Sequence, residues 1–219
     1  MLCISLSESY LRYFSIDDTN IDKIAKIELP EKLRFTPKTA DKFYNDLSAV
    51  FSILTEQNKN LPQRLAISIP SSWIDLSIYN VDSELSAKDK EKYFQWKNEQ
   101  RLGEKANSLI FQYYPIDEDY HSKYLTVAYP QKLKNTLIQS ALGKDYKIEF
   151  IDINIFSILQ SIRYLNLANH LSSYAIWLSA GDIHRILVIK NNMIDNYLEI
   201  CPSIDNGLIV KNASPVEAK

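Results

Sequence analysis

Glycine is scarce here, at 4 of 219 residues. Loops that cradle phosphates are glycine-rich because their backbone must approach the phosphate closely and adopt positive φ, so the scarcity argues against nucleotide binding. Cysteine is scarce too. Cys3 and Cys201 lie far apart, and neither has a second thiol or a histidine at ligand spacing, so no disulfide framework or zinc knuckle is expected. His121, His170 and His184 are isolated, with no i,i+4 pair on a helix, and no metal site is expected. No apolar run approaches the ~20 residues of a membrane span, and Met1-Leu2-Cys3-Ile4-Ser5-Leu6 carries no basic segment of a signal peptide. Charge excess is absent as well. A formal net charge of −2 leaves no field to attract nucleic acid or anionic lipid. The expectation is a cytoplasmic protein that inserts in no membrane, binds no nucleic acid and needs no cofactor.

What is present is an ordinary globular composition, 46 % apolar and 24 % charged, in a chain long enough to bury a core. Three strand-like runs open it: Leu2 to Leu6, Tyr10 to Ile16 and Lys23 to Leu29. The turn-forming residues between them predict an antiparallel meander. Thr36 and Pro37 start a helix whose apolar face is Phe43, Leu47, Val50, Phe51 and Leu54. Leu65 to Pro70 reads as a buried strand parallel to the first. A middle section follows: strand Ile74 to Tyr79, a helix from Ser86 to Leu102 with Ser86 as N-cap, and strands Phe111 to Ile116 and Tyr124 to Tyr129. Pro130 opens a helix ended by Gly143 as a C′ residue, Tyr146 to Ile151 is a strand, and Asn154 caps a helix with stripe Ile155, Ile158, Leu159, Ile162 and Leu165. Three further strands, Tyr174 to Leu178, Ile183 to Ile189 and Met193 to Ile200, repeat the opening meander, with Asn191-Asn192 suited to positive φ in a tight turn.

Meander, helix and strand, then an insertion, then a second meander is the element order of the actin-like (ribonuclease-H-like) fold. Leu65 to Pro70, the helix segment Lys92-Tyr93-Phe94-Gln95-Trp96-Lys97-Asn98-Glu99-Gln100, and Phe150-Ile151-Asp152-Ile153-Asn154-Ile155-Phe156-Ser157-Ile158-Leu159 together resemble the PilM-type pilus assembly proteins of that family. The resemblance implies an α/β fold with a mixed sheet: a first actin-like subdomain over 1–72, an inserted α/β subdomain and connecting helix over 73–172, a partial second meander over 173–202 and a polar tail over 203–219. It also shows what has departed. Ser5 stands where the first phosphate hairpin carries an acid and Ser7 where it carries glycine, and Arg12 falls near the family's basic position. Trp177 takes the second acid's place, with Ser179 in the same degenerate hairpin. Without those carboxylates nothing in these hairpins holds Mg²⁺ or orients a water.

Other chemical candidates are weaker. Ser71-Ser72 after Pro70 reads as a turn, and Asp117-Glu118-Asp119 as a solvated hairpin tip. Tyr93, Phe94 and Trp96 read as a helix packing face. Of the 14 tyrosines, five cluster on the second hairpin of the middle section, at Tyr113, Tyr114, Tyr120, Tyr124 and Tyr129. Exposed tyrosine is enriched at interfaces, so Tyr113 and Tyr124 are taken as partner-binding residues, in a groove between the first domain and the middle section. The expected function is a non-enzymatic scaffold. The resemblance makes its partner a short peptide of a membrane-anchored assembly protein, which would place the chain peripherally at the inner membrane, and a homodimer through the same strand edge is the alternative occupant. The other functional reading is a diverged nucleotide-binding ATPase or sugar-kinase-like enzyme.

Overall fold

The structure, a computed structural model, describes residues 1–17, 20–29, 31–57, 62–116, 122–180, 183–203 and 207–212. In chain order the elements are β1 (Leu2–Leu6), β2 (Tyr10–Asp17), β3 (Asn20–Glu28), α1 (Ala40–Gln57), β4 (Arg64–Ile69), β5 (Asp75–Asn80), α2 (Ala87–Leu102), β6 (Leu109–Pro115), β7 (Lys123–Pro130), α3 (Gln131–Leu142), β8 (Lys147–Ile153), α4 (Asn154–Tyr164), β9 (Ser173–Ala180), β10 (Ile183–Lys190), β11 (Met193–Pro202) and β12 (Leu208–Asn212). They form two compact units. One holds residues 1–74 and 129–157, the other 75–128 and 158–219.

The first unit is built on a mixed five-stranded sheet in the order β3-β2-β1-β4-β8. β1, β2 and β3 form the expected antiparallel meander, and β4 lies parallel to β1 and β8 parallel to β4. Alternation sends Leu2, Ile4, Leu6, Leu65, Ile67 and Ile69 to one face, where they are buried together with Phe43, Leu47, Phe51 and Leu54 of α1 and Leu133, Leu137 and Ala141 of α3. Thr36 caps the turn that leads into α1: its Oγ1 accepts from Thr39 N at 3.2 Å. Phe43 is clamped edge-on between Phe35 and Trp73, at 5.2 and 5.1 Å.

The second unit contains the three-stranded sheet β5-β7-β6 with α2, and the four-stranded antiparallel sheet β12-β11-β10-β9. Ser86 caps α2 as expected, accepting from Asp89 N at 3.2 Å. Asn191 and Asn192 adopt φ of 49° and 61° in the β10–β11 turn, the left-handed region that asparagine tolerates.

Four sequence expectations change. Asn154 does not cap α4; its side-chain oxygen accepts from Ser71 N at 3.1 Å, joining the end of β4 to the start of α4. Gly143 is right-handed at φ −63°, and the left-handed residue after α3 is Asp145 at φ 61°. The stripe of α4 is only partly buried, since Ile158 is 36 % exposed and Leu165, past the helix end, 59 %. Finally, a polar tail from 203 onward misses β12, which pairs with β11 over Leu208 to Asn212. The remainder of that tail, 213–219, lies outside the described residues, as do Asp117, Glu118, Asp119, Tyr120, His121, Gly181 and Asp182.

Candidate functional site

The outward face of the first sheet carries a polar row set by register. Lys26, Arg12, Ser5, Ser68 and Asp152 lie side by side on β3, β2, β1, β4 and β8. Ser5 is exposed, between Arg12 and Ser68. Arg12 places its guanidinium 4.8 Å from the Tyr10 ring centre, and Lys26 approaches the same ring at 4.7 Å. Ser7 is a turn former. Its hydroxyl accepts from Tyr10 N at 3.0 Å and donates to Tyr10 O at 2.9 Å, which closes the β1–β2 hairpin. The carboxylate of the row is Asp152, and both of its oxygens are engaged near the start of α4. One accepts from Ile153 N at 2.8 Å and the other from the Ser157 hydroxyl at 2.5 Å. Ser157 also lies 3.0 Å from the Ser68 hydroxyl. The row thus offers hydroxyls, two cations and one internally satisfied acid.

The second hairpin, β9–β10, brings Trp177, Ser179 and His184 together. The Trp177 indole donates to His184 Nδ1 at 3.3 Å, and the Ser179 hydroxyl is 2.9 Å from the same nitrogen. An indole N–H can only donate, so Nδ1 is the acceptor and the ring hydrogen sits on Nε2. The rings meet perpendicularly at 5.6 Å. Sequence reasoning left His184 isolated. Its partners are seven and five residues away, and only the antiparallel register of β9 and β10, which sets Ser179 opposite His184, brings them together.

Tyr113 and Tyr124 belong to the aromatic core of the inserted subdomain. Tyr79, Val81 and Phe94 are its buried centre, and Tyr93, Tyr113 and Tyr124 pack around it. Phe94 stacks on Tyr113 at 4.2 Å and meets Tyr124 edge-on at 5.0 Å. A polar chain runs through this core. Arg101 forks onto Asp75 at 3.0 and 2.5 Å and donates to Tyr79 at 3.0 Å; the Tyr79 hydroxyl donates to Asn98 at 2.8 Å, and Asn98 donates to Tyr113 at 2.9 Å. Burial pushes the Tyr113 phenol up to about 12, partly offset by the bond from Asn98. Asn98 is 1 % exposed and was not singled out from the sequence, where an asparagine in a charged helix reads as surface. The exposed tyrosine of β6 is the neighbouring Tyr114, 47 % exposed, whose hydroxyl donates to the exposed Gln112 at 3.0 Å. β6 is an edge of its three-stranded sheet. On α2, Trp96 is 51 % exposed.

No protein-family model and no curated protein matches the sequence. Solved structures do match in fold. The chain is similar to a chain of a PilM-PilN type IV pilus biogenesis complex, with TM-score 0.72 and 11 % identity over 90 % of this chain and 60 % of that one. It is also similar to the cytoplasmic domain of EpsL, an inner membrane component of the type II secretion system of Vibrio cholerae, with TM-score 0.55 and 9 % identity over 96 % of this chain and 70 % of that one. A third neighbour, from Bacteroides thetaiotaomicron, is a protein of unknown function with an actin-like ATPase fold, with TM-score 0.47 and 14 % identity over 88 % of this chain and 66 % of that one. The fold is α/β and actin-like, with a mixed sheet. The chain spans about 60 % of the pilus-complex chain it matches. Among the described residues no helix is long and apolar enough to cross a membrane.

Proposed function

We propose that the chain is a non-catalytic, protein-binding component of a pilus or secretion assembly platform, and that it holds a short segment of a membrane-anchored partner. The observation that carries this reading is the chemistry of the two hairpins. Ser5 and Trp177 stand at the positions where the resemblance calls for acids, Ser7 is consumed in its own turn, and Ser179 faces His184. The one carboxylate in the first row, Asp152, is engaged within the chain by Ile153 and Ser157. A fold that keeps its architecture while such positions change is free to serve as a scaffold. The fold neighbours named for a PilM-PilN complex and for a secretion component support the same direction.

The outer edge of β6, which pairs with no further strand among the described residues, is the docking place we assign to the partner segment. An edge strand presents unpaired backbone groups that accept an added strand, and outward side chains select among sequences. Tyr114 is exposed there, while Tyr113 and Tyr124 hold β6 and β7 from beneath through Phe94. Titration with the soluble tails of membrane proteins encoded beside this chain tests the assignment. One tail should bind, and Tyr114→Ala should weaken it roughly tenfold, the scale of an interface anchor, without changing circular dichroism. No tail binding at all would refute it. The competing nucleotide-binding reading predicts a Mg²⁺-dependent rise in melting temperature on adding ATP, since a ligand of the native state must stabilise it. On our reading there is none, and no ATP turnover. A Mg²⁺-dependent turnover that Ser5→Lys abolishes would establish a working site and overturn the proposal.

A further inference from the structure

Independently of that reading, the β9–β10 hairpin ties two side chains to a single nitrogen. His184 Nδ1 receives the Trp177 indole N–H at 3.3 Å and lies 2.9 Å from the Ser179 hydroxyl. A neutral imidazole has one acceptor nitrogen, and here it is Nδ1. The rings meet at 88° with their centres 5.6 Å apart, the indole presenting its N–H edge. His184 is half-buried and Trp177 is 63 % exposed. Register sets the uncharged Ser179 and Ile200 opposite His184. The charged residues next to it, Arg185 in sequence and Glu199 across the strands, lie on the other face of the sheet and pair with each other at 3.0 Å. The other charged residues of β10 and β11 whose side chains are described, Lys190 and Asp195, sit at the β10–β11 turn end, where Asp195 is met by Lys123.

We propose that His184 is a pH-sensitive latch for Trp177: the neutral imidazole holds the indole on the hairpin, and the imidazolium releases it. Histidine is the side chain that changes charge between about pH 5 and 8. The proton that His184 takes from solvent goes to Nδ1, because Nε2 already carries one. Nδ1 thereby turns from acceptor into donor, and its two partners respond differently. A hydroxyl both donates and accepts, so Ser179 stays in place, turns its hydrogen away and accepts from Nδ1–H. An indole N–H only donates. It is left without its acceptor, and two N–H groups of like polarity face each other across 3.3 Å. Trp177 then turns to another staggered side-chain conformation and gives its N–H to water, which its exposure allows. Each residue type has its own part in the device: a ring that titrates, a hydroxyl that can reverse its role, and a ring that cannot.

Nitrogen-15 NMR of the full chain, titrated from about pH 8 to about pH 5, tests this. At the alkaline end the His184 ring should show a bare Nδ1 and a protonated Nε2. As the ring gains its second proton, the Trp177 indole N–H resonance should shift and exchange faster with water, with the same midpoint as the ring. Trp73 packs on Phe43 and Trp96 on Tyr93, and their indole resonances should hold still. His184→Asn offers a carbonyl oxygen in place of Nδ1 that does not titrate in this range, so its Trp177 resonance should stay near the alkaline position throughout. Ser179→Ala should keep the response, because the donor that must leave is Trp177. The parent titration needs no substitution and stays decisive if either variant folds poorly. A Trp177 resonance that does not follow the His184 ring, a ring that carries its proton on Nδ1 at the alkaline end, a ring that gains no proton over the range, or a response that survives in His184→Asn would each overturn the proposal.

Discussion

Asn98 shows how much one buried polar residue organises in the inserted subdomain. Its amide accepts from Tyr79 and donates to Tyr113, and Tyr79 in turn accepts from Arg101. Replacing Asn98 by leucine strands the Tyr79 hydroxyl and should cost about 2 kcal/mol in chemical denaturation, because a buried donor left unpaired carries its full desolvation penalty. Tyr113→Phe keeps the stack on Phe94 and removes only the hydroxyl, with an expected cost of about 1 kcal/mol. The same hydroxyl gives a pH signature. Its folded pKa is raised from 10 to about 12, so the protein favours the neutral phenol. That contribution is fully present below pH 10 and is lost as pH rises through about 12. Melting temperature against pH should fall over that window more steeply in the parent than in Tyr113→Phe; parallel curves would show that the phenol is not coupled to folding.

Among the elements, α2 and the β10–β11 hairpin are set by local chemistry. Ser86 caps α2 through Asp89 N, and Ser86→Ala should destabilise by about 1 kcal/mol. The β10–β11 turn holds Asn191 at φ 49°. Asn191→Gly should be close to neutral, whereas Asn191→Val should cost about 1–2 kcal/mol because its Cβ clashes in the left-handed region. Equal melting temperatures for these two variants would mean that the turn relaxes elsewhere. Elements of this kind were legible in the sequence, since cap, turn and alternation each act within a few residues. Asp152 and Asn154 were not. Both are oxygen-bearing residues at a strand–helix junction, either of which can accept backbone N–H bonds, and only the approach of Ser71 turns Asn154 away from α4.

For the whole molecule, the terminal meander is structural. Ile176, Leu187, Ile189 and Tyr197 lie in the core of the second unit. A chain ending before Tyr174 should therefore lose cooperative unfolding or precipitate. One ending before Ala213 keeps β12 and should behave as the full chain. Equal solubility and equal transitions for the two truncations would contradict this.

The amino-acid sequence by itself determined the order of elements as far as β11, the parallel return of β4 beside β1 and the buried stripe of α1. Those features depend on alternation, helical period and residue identity, all of which are local. Tertiary structure alone decided which tyrosine of β6 is exposed, that Asn98 links Tyr79 to Tyr113, and that His184 meets Trp177 and Ser179. Period-2 alternation assigns residues to two faces of a strand but does not say which face another layer will cover, and that depends on packing between elements far apart in the chain.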